Sequence, residues 1–156
     1  LWLGGVDDAL DLGALRARGI SAILNMARRS CAEEQEVQAR LNAKFAAFVS
    51  PAMQRWTGAE FCQEWYRQSM NCPDFWYLAT DAEDRDDYPI SETFDTVVAF
   101  LRRCRDADRP TLVHCVMGVN RSPCACAAFL MREGPEPHAL GMTLKAALDL
   151  LGRRRP

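Results

Sequence analysis

The run Thr111-Leu112-Val113-His114-Cys115-Val116-Met117-Gly118-Val119-Asn120-Arg121-Ser122-Pro123 decides how the chain is read. Its first residues are β-branched or apolar, and Pro110 blocks any helix before them, so residues 111–113 predict a short buried strand. Over residues 124–131 the side chains are small or apolar, which suits a buried helix. Pro123 fits the first turn of that helix, where its missing N–H costs nothing. Between strand and helix lies a tight loop, with five residues separating Cys115 from Arg121.

A loop of this length curls so that successive backbone N–H groups point inward as an anion nest, here those of Val116, Met117, Gly118, Val119 and Asn120. The helix N-terminus behind it adds partial positive charge, and the planar fork of Arg121 grips two phosphate oxygens at once. On the rim of such a cavity the Cys115 thiol is expected to ionise well below the value of about 8.5 for a free cysteine. A thiolate facing a bound phosphate is a nucleophile in position. Gly118 permits positive φ and close backbone approach. Ser122 places a hydroxyl beside the sulfur, where it stabilises the departing thiolate. A bare Cys-x5-Arg pairing means little; the strand, the helix and the flanking His114, Gly118 and Ser122 make it specific.

His-Cys-x5-Arg-Ser resembles the signature of the cysteine-dependent protein tyrosine phosphatases, and Leu-Val-His-Cys-x-x-Gly-x-x-Arg-Ser-Pro resembles their dual-specificity branch. Leu1-Trp2-Leu3-Gly4 is similar to that branch's opening strand, and Gly19-Ile20 with Ile23-Leu24-Asn25 to its second. Ala128-Phe129-Leu130-Met131 is similar to the helix after the phosphate loop, so the likeness runs from end to end. It implies a protein tyrosine phosphatase-like α/β fold and a single catalytic domain over residues 1–156. It also implies two-step phosphoryl transfer. The Cys115 thiolate attacks phosphorus in line while Arg121 and the loop amides hold the equatorial oxygens. An acid protonates the departing oxygen, and water activated by the same group then hydrolyses the phosphocysteine. Ser122 assists the thiolate's departure, and His114 orients the Cys115 backbone and helps hold the thiolate state. The scheme calls for no cofactor and no metal.

The acid must lie on a loop beside the phosphate site. The acidic loop over residues 81–88, after a strand over 75–78, is the best source, because a parallel strand next to the central one ends at the same edge. In the phosphatases that the chain resembles, the acid precedes the residue opening the next helix by seven, with an aromatic three further on. Counting back from Ser91, which precedes Phe94, selects Asp84. Asp81 is the runner-up, and Asp86 and Asp87 are expected to face solvent.

The expected substrate is a phosphorylated protein carrying phosphotyrosine or phosphoserine/phosphothreonine, because no segment matches the deep-cleft recognition loop of tyrosine-only enzymes. Two rivals stand beside it. A phosphatase for a polyanion, such as a phosphoinositide or an RNA 5′ end, needs further Lys or Arg in the loop, and none lies between Cys115 and Arg121. The 81–87 segment also sets Asp81, Glu83, Asp84, Asp86 and Asp87 against Arg85 alone, a rim that repels polyanions. A phosphoprotein-binding module would lack the nucleophile or the acid, and both kinds of residue are present.

With 156 residues and 49% hydrophobic side chains, the chain suits one domain with a core of its own. A net charge of −2 argues against nucleic acid as a partner, and no apolar run reaches membrane-spanning length. Seven cysteines without a zinc-like pairing, one of them reactive, point to a reducing intracellular compartment, cytoplasmic or nuclear. Cys124 and Cys126, two apart on a helix, face different sides and read as core packers. The start at Leu1 reads as a domain excised from a longer protein. Composition says nothing of oligomeric state.

Strands alternating with helices imply a central, largely parallel sheet flanked by helices on both faces. Residues 7–18 predict a helix stopped by Gly19, with Leu12 and Leu15 inward, and 21–25 a buried strand. Residues 33–48 predict an amphipathic helix, with Val37, Leu41, Phe45 and Phe48 on one face. Thr57-Gly58-Ala59-Glu60 reads as a capping box opening a helix to about Met70, its apolar face carrying Phe61 and Trp65. Ser91 is a candidate N-cap for a helix that buries Phe94, Val97, Val98 and Leu101. A last helix groups Leu140, Leu144, Leu148 and Leu151, and Arg153, Arg154 and Arg155 cover its C-terminal end. The stretch over 27–74 is longer than in compact dual-specificity phosphatases; it serves to cover the sheet, shape the substrate groove or dock a partner.

Overall fold

The computed structural model describes residues 1–33, 36, 60–133 and 141–154. Four short strands form one parallel sheet: β1 Trp2–Gly4, β2 Ala22–Asn25, β3 Trp76–Ala79 and β4 Thr111–His114, in the order β1-β4-β2-β3. Strand β4 is central, with Gly4 and Asn25 registered against His114 on its two sides. Because every strand runs the same way, Gly4, Asn25, Ala79 and His114 all finish at one edge, where parallel sheets bind ligands.

Helices cover both faces. Consecutive strand residues point to opposite sides of a sheet. Tyr77 is stacked on Tyr66 of helix α3 (Gln63–Ser69; α1 and α2 are given below), whereas its neighbour Trp76 lies under Arg103 of helix α4 (Phe94–Asp106). Helix α5 (Arg121–Glu133) packs with α4, and α6 (Leu144–Arg154) packs on α5. The core joins Ile23, Leu24 and Val113 of the strands to Val97, Val98, Leu101, Ala125 and Phe129 of the helices. Tyr66 is fully buried, and its hydroxyl donates to the Ala9 carbonyl at 3.0 Å, tying α3 to the first helix. No helix among the described residues is long and apolar enough to cross a membrane.

Several sequence expectations need correction. The helix expected over 7–18 is two, α1 Val6–Leu10 and α2 Leu12–Ala17, because the Asp11 carboxylate accepts from the Ala14 N–H and caps a fresh start. Helix α3 begins only at Gln63: Cys62 caps it, and Phe61 sits before it with φ of 59°. Phe61 is therefore buried from a loop, against the His114 ring, and Tyr66 is the helix's core anchor. Ser91 lies inside a 3-10 turn, Ile90–Thr93, that precedes α4 rather than capping it. In α6 the buried residue is Ala147, while Leu144 and Leu148 are exposed. Strand β3 is not next to the central strand; β2 lies between them, though β3 still ends at the same edge. Thr57, Leu140, Arg155 and nearly all of the 33–48 helix lie outside the described residues.

Candidate active site

The loop after β4 rests on the junction of β1 and α1. The Val6 N–H donates to the Val116 carbonyl at 2.9 Å, and Gly5 N–H is held by the Asp8 carboxylate at 2.8 Å. Gly118 has φ of +70°, and a Cβ there would lie 2.6 Å from the Gly4 backbone, so only glycine fits. This seating aims the Gly118 N–H at the Cys115 sulfur, 3.2 Å away. The Ser122 hydroxyl, from the first turn of α5, donates to the same sulfur at 3.3 Å.

Burial pushes the Cys115 thiol up, but the Ser122 hydroxyl and the N–H groups of Ser122, Gly118 and Asn120 outweigh it, leaving it below an ordinary thiol. Burial raises Cys72, Cys104 and Cys124, and takes Cys126 to about 12. Of these five thiols, the one held down is the one in the loop. His114 is fully buried, and burial lowers its imidazole to about 4. It is neutral near pH 7, and its Nδ1 contacts the Cys115 carbonyl at 3.2 Å.

Arg121 is 3% exposed. Its Nη1 donates to the Ser30 hydroxyl at 3.1 Å and the Ala82 carbonyl at 3.0 Å. These bonds anchor one end of the guanidinium. The opposite edge carries Nε, buried with no hydrogen-bond partner among the described residues, and Nη2, which reaches Asp84 Oδ2 at 3.4 Å. An Nε–Nη2 edge is the bidentate face for a phosphate.

The acidic loop separates its members. Asp84, 50% exposed, contacts Arg121 and accepts from the Asn120 side-chain amide at 2.6 Å. Asp81 is turned away to Arg28, whose guanidinium holds its carboxyl below the usual range. Asp87 pairs with Arg85, and Glu83 with Arg29 and Arg85. Arg28 and Arg29 therefore offset much of the rim charge that the sequence assigned to Arg85 alone. Met117 and Val119 project outward, 74% and 61% exposed.

Sequence reasoning brought together Cys115, Ser122, Arg121 and Asp84, and missed Ser30, Ala82, Arg28 and the Asn120 side chain. The signal for the 28–30 segment was present: it follows β2, whose carboxyl end lies at the site edge. Asn25 fixes the turn there, its Oδ1 accepting from the Ala27 N–H at 2.8 Å and its Nδ2 donating to the Tyr77 hydroxyl at 3.0 Å.

A parallel sheet with a Cys-x5-Arg loop at its carboxyl edge is the arrangement expected of a phosphatase catalytic domain. A family model described as "Dual specificity phosphatase, catalytic domain" matches residues 1–156, and the chain belongs to that family. Monkeypox virus dual specificity protein phosphatase OPG106 is 51% identical over 47 residues, 30% of this chain and 28% of that protein. Mouse dual specificity protein phosphatase 1 is 35% identical over 69 residues, 41% of this chain and 19% of the relative. The aligned stretches thus span under a third of these relatives' lengths. The crystal structure of DUSP15 has a TM-score of 0.64 at 22% identity, covering 99% of this chain and 70% of that one. Human DUSP28 gives 0.63 at 18% identity, covering 99% and 75%.

Proposed function

We propose that residues 1–156 form a single catalytic domain that hydrolyses phosphotyrosine and phosphoserine/phosphothreonine in proteins through a phosphocysteine. The observation that carries this reading is the pair of hydrogen bonds, from Gly118 N–H and Ser122 Oγ, on a Cys115 sulfur held below an ordinary thiol. The thiolate attacks phosphorus, and the Nε–Nη2 edge of Arg121 with the amides of Val116, Met117, Gly118, Val119 and Asn120 holds the equatorial oxygens. The phosphorus–oxygen ester bond breaks as Asp84 gives its proton to the leaving oxygen. Asp84 then takes a proton from water, the water oxygen attacks phosphorus, and the sulfur leaves as thiolate toward the Ser122 hydroxyl. His114 fixes the Cys115 carbonyl throughout.

The open rim at Met117, Val119 and Asp84 supports a site shallow enough for the short phosphoserine and phosphothreonine side chains as well as phosphotyrosine. The enzyme's setting on this reading is intracellular signalling, in cytoplasm or nucleus, because a low-pKa thiolate persists under reducing conditions. Neither nucleic acid nor membrane is assigned as a partner. Turnover of one peptide sequence phosphorylated on tyrosine or on threonine, alongside a phosphoinositide headgroup, tests the proposal. Both peptides should turn over and Cys115→Ser should remove the activity. Preference for the headgroup would overturn the protein-substrate reading.

A further inference from the structure

The bonds around Asp84 are asymmetric. Oδ1 accepts from the Asn120 amide at 2.6 Å, and Oδ2 accepts from Arg121 Nη2 at the longer 3.4 Å. Both donors belong to the phosphate loop, but only one of them is free to stay. Nη1 of Arg121 is committed to Ser30 and Ala82, so a phosphate must be gripped through Nε and Nη2. Gripping it engages Nη2 and sets the phosphate in competition with Asp84, whose contact there is already long at 3.4 Å. Asn120 makes no such exchange, because its side-chain amide bonds Asp84 while only its backbone belongs to the phosphate nest.

We infer that Asn120 is the positioning residue for the acid: its amide keeps Asp84 Oδ1 fixed to the phosphate loop while Arg121 passes from Asp84 to the substrate. This leaves Oδ2 as the oxygen that carries the proton toward the leaving group. A carboxylate on an exposed loop, half in solvent, otherwise has, among the described residues, the competed Arg121 contact to hold it over the site. The inference rests on the proposed role of Asp84 as acid, and it assigns Asn120 a task beyond its place in the phosphate nest.

The test compares leaving groups. Phenyl phosphate and a phosphothreonine peptide need a proton on the departing oxygen; 2,4-dinitrophenyl phosphate does not. Asn120→Ala should lower kcat on the first two about ten- to a hundredfold more than on the third, at or below the lower end of the roughly 10²–10⁴ that complete loss of general acid catalysis costs. In an Asp84→Asn background the same substitution should add no further leaving-group discrimination, since a positioning residue acts only through what it positions. Equal losses on all three substrates mean that Asn120 shapes the loop as a whole, and overturn the inference. So does a leaving-group effect that persists undiminished in Asp84→Asn. If Asp84→Asn itself shows no leaving-group dependence, the acid assignment falls and takes this inference with it. A steep Asp84→Asn response with a flat Asn120→Ala response sinks the inference alone.

Discussion

Gly118→Ala is the substitution whose cost follows most directly from the loop's geometry. The residue adopts φ of +70°, which costs an L-residue about 1–2 kcal/mol. Its new Cβ would also lie 2.6 Å from both the carbonyl carbon and the carbonyl oxygen of Gly4, and 3.0 Å from the Gly5 nitrogen. Those are backbone atoms at the end of β1, so no flexible side chain yields. Loop and strand must part by most of an ångström, and overpacking of that kind costs about 1–3 kcal/mol. Together the two effects amount to roughly 2–5 kcal/mol, a large part of the 5–15 kcal/mol that holds a typical domain folded. The same displacement breaks the Gly118 N–H bond to the Cys115 sulfur, so the thiol should titrate higher. Urea denaturation reads the first effect, and the pH dependence of Cys115 alkylation by iodoacetamide reads the second. An unchanged midpoint together with a wild-type alkylation profile would refute the seating of this loop on β1.

Replacing Arg121 with Lys should reduce kcat/KM by at least about a hundredfold, because an ammonium lacks both the bidentate edge and the reach to Ser30 and Ala82. Inorganic phosphate should inhibit Asp84→Asn several-fold more strongly than wild type, since no carboxylate then competes for Nη2; inhibition assays decide it. His114 is buried neutral, with its pKa lowered from 6.5 to about 4, so the unfolded chain binds the extra proton first. Stability should be intact above about pH 6.5 and fall by about 3 kcal/mol as pH drops to about 4, and His114→Asn should flatten that part of the curve in urea titrations. Cys126→Ser places a hydroxyl at a fully buried position and should cost about 1–3 kcal/mol in denaturation while leaving kcat near wild type.

The loop after β4 was legible because its residues are contiguous: strand, cysteine, glycine, arginine and helix start follow one another within thirteen residues. Short apolar runs marked β2, β3 and β4 for the same reason, whereas β1 was expected from the family resemblance. Asp84 was singled out by the spacing found in the phosphatases the chain resembles, and the structure sets it against Asn120 and Arg121 while Asp81 is turned to Arg28. What escaped was long-range or depended on one competing side chain. Asp11 divides a helix that periodicity alone runs together. The leucine stripe of the last helix was right for Leu151, which packs against the core, and not for Leu144 and Leu148, which are exposed while Ala147 is buried. Arg28, Arg29 and Ser30 meet the 81–87 loop and Arg121 from a distant segment; their place after β2 puts them at the site edge, but nothing in the local pattern names their partners.

The covalent intermediate on Cys115 is the central claim, and Ser122→Ala gives the most direct access to it. Removing the hydroxyl that faces the sulfur at 3.3 Å should slow departure of the thiolate more than its attack. Under pre-steady-state conditions with an aryl phosphate, this variant should release a burst of phenol close to one per enzyme before a slow steady phase. Acid quenching during the burst, followed by peptide mass analysis, should place one phosphoryl group on the peptide that carries Cys115. A burst whose phosphoryl group sits on any other residue, or turnover with no phosphoenzyme at all, would contradict the account.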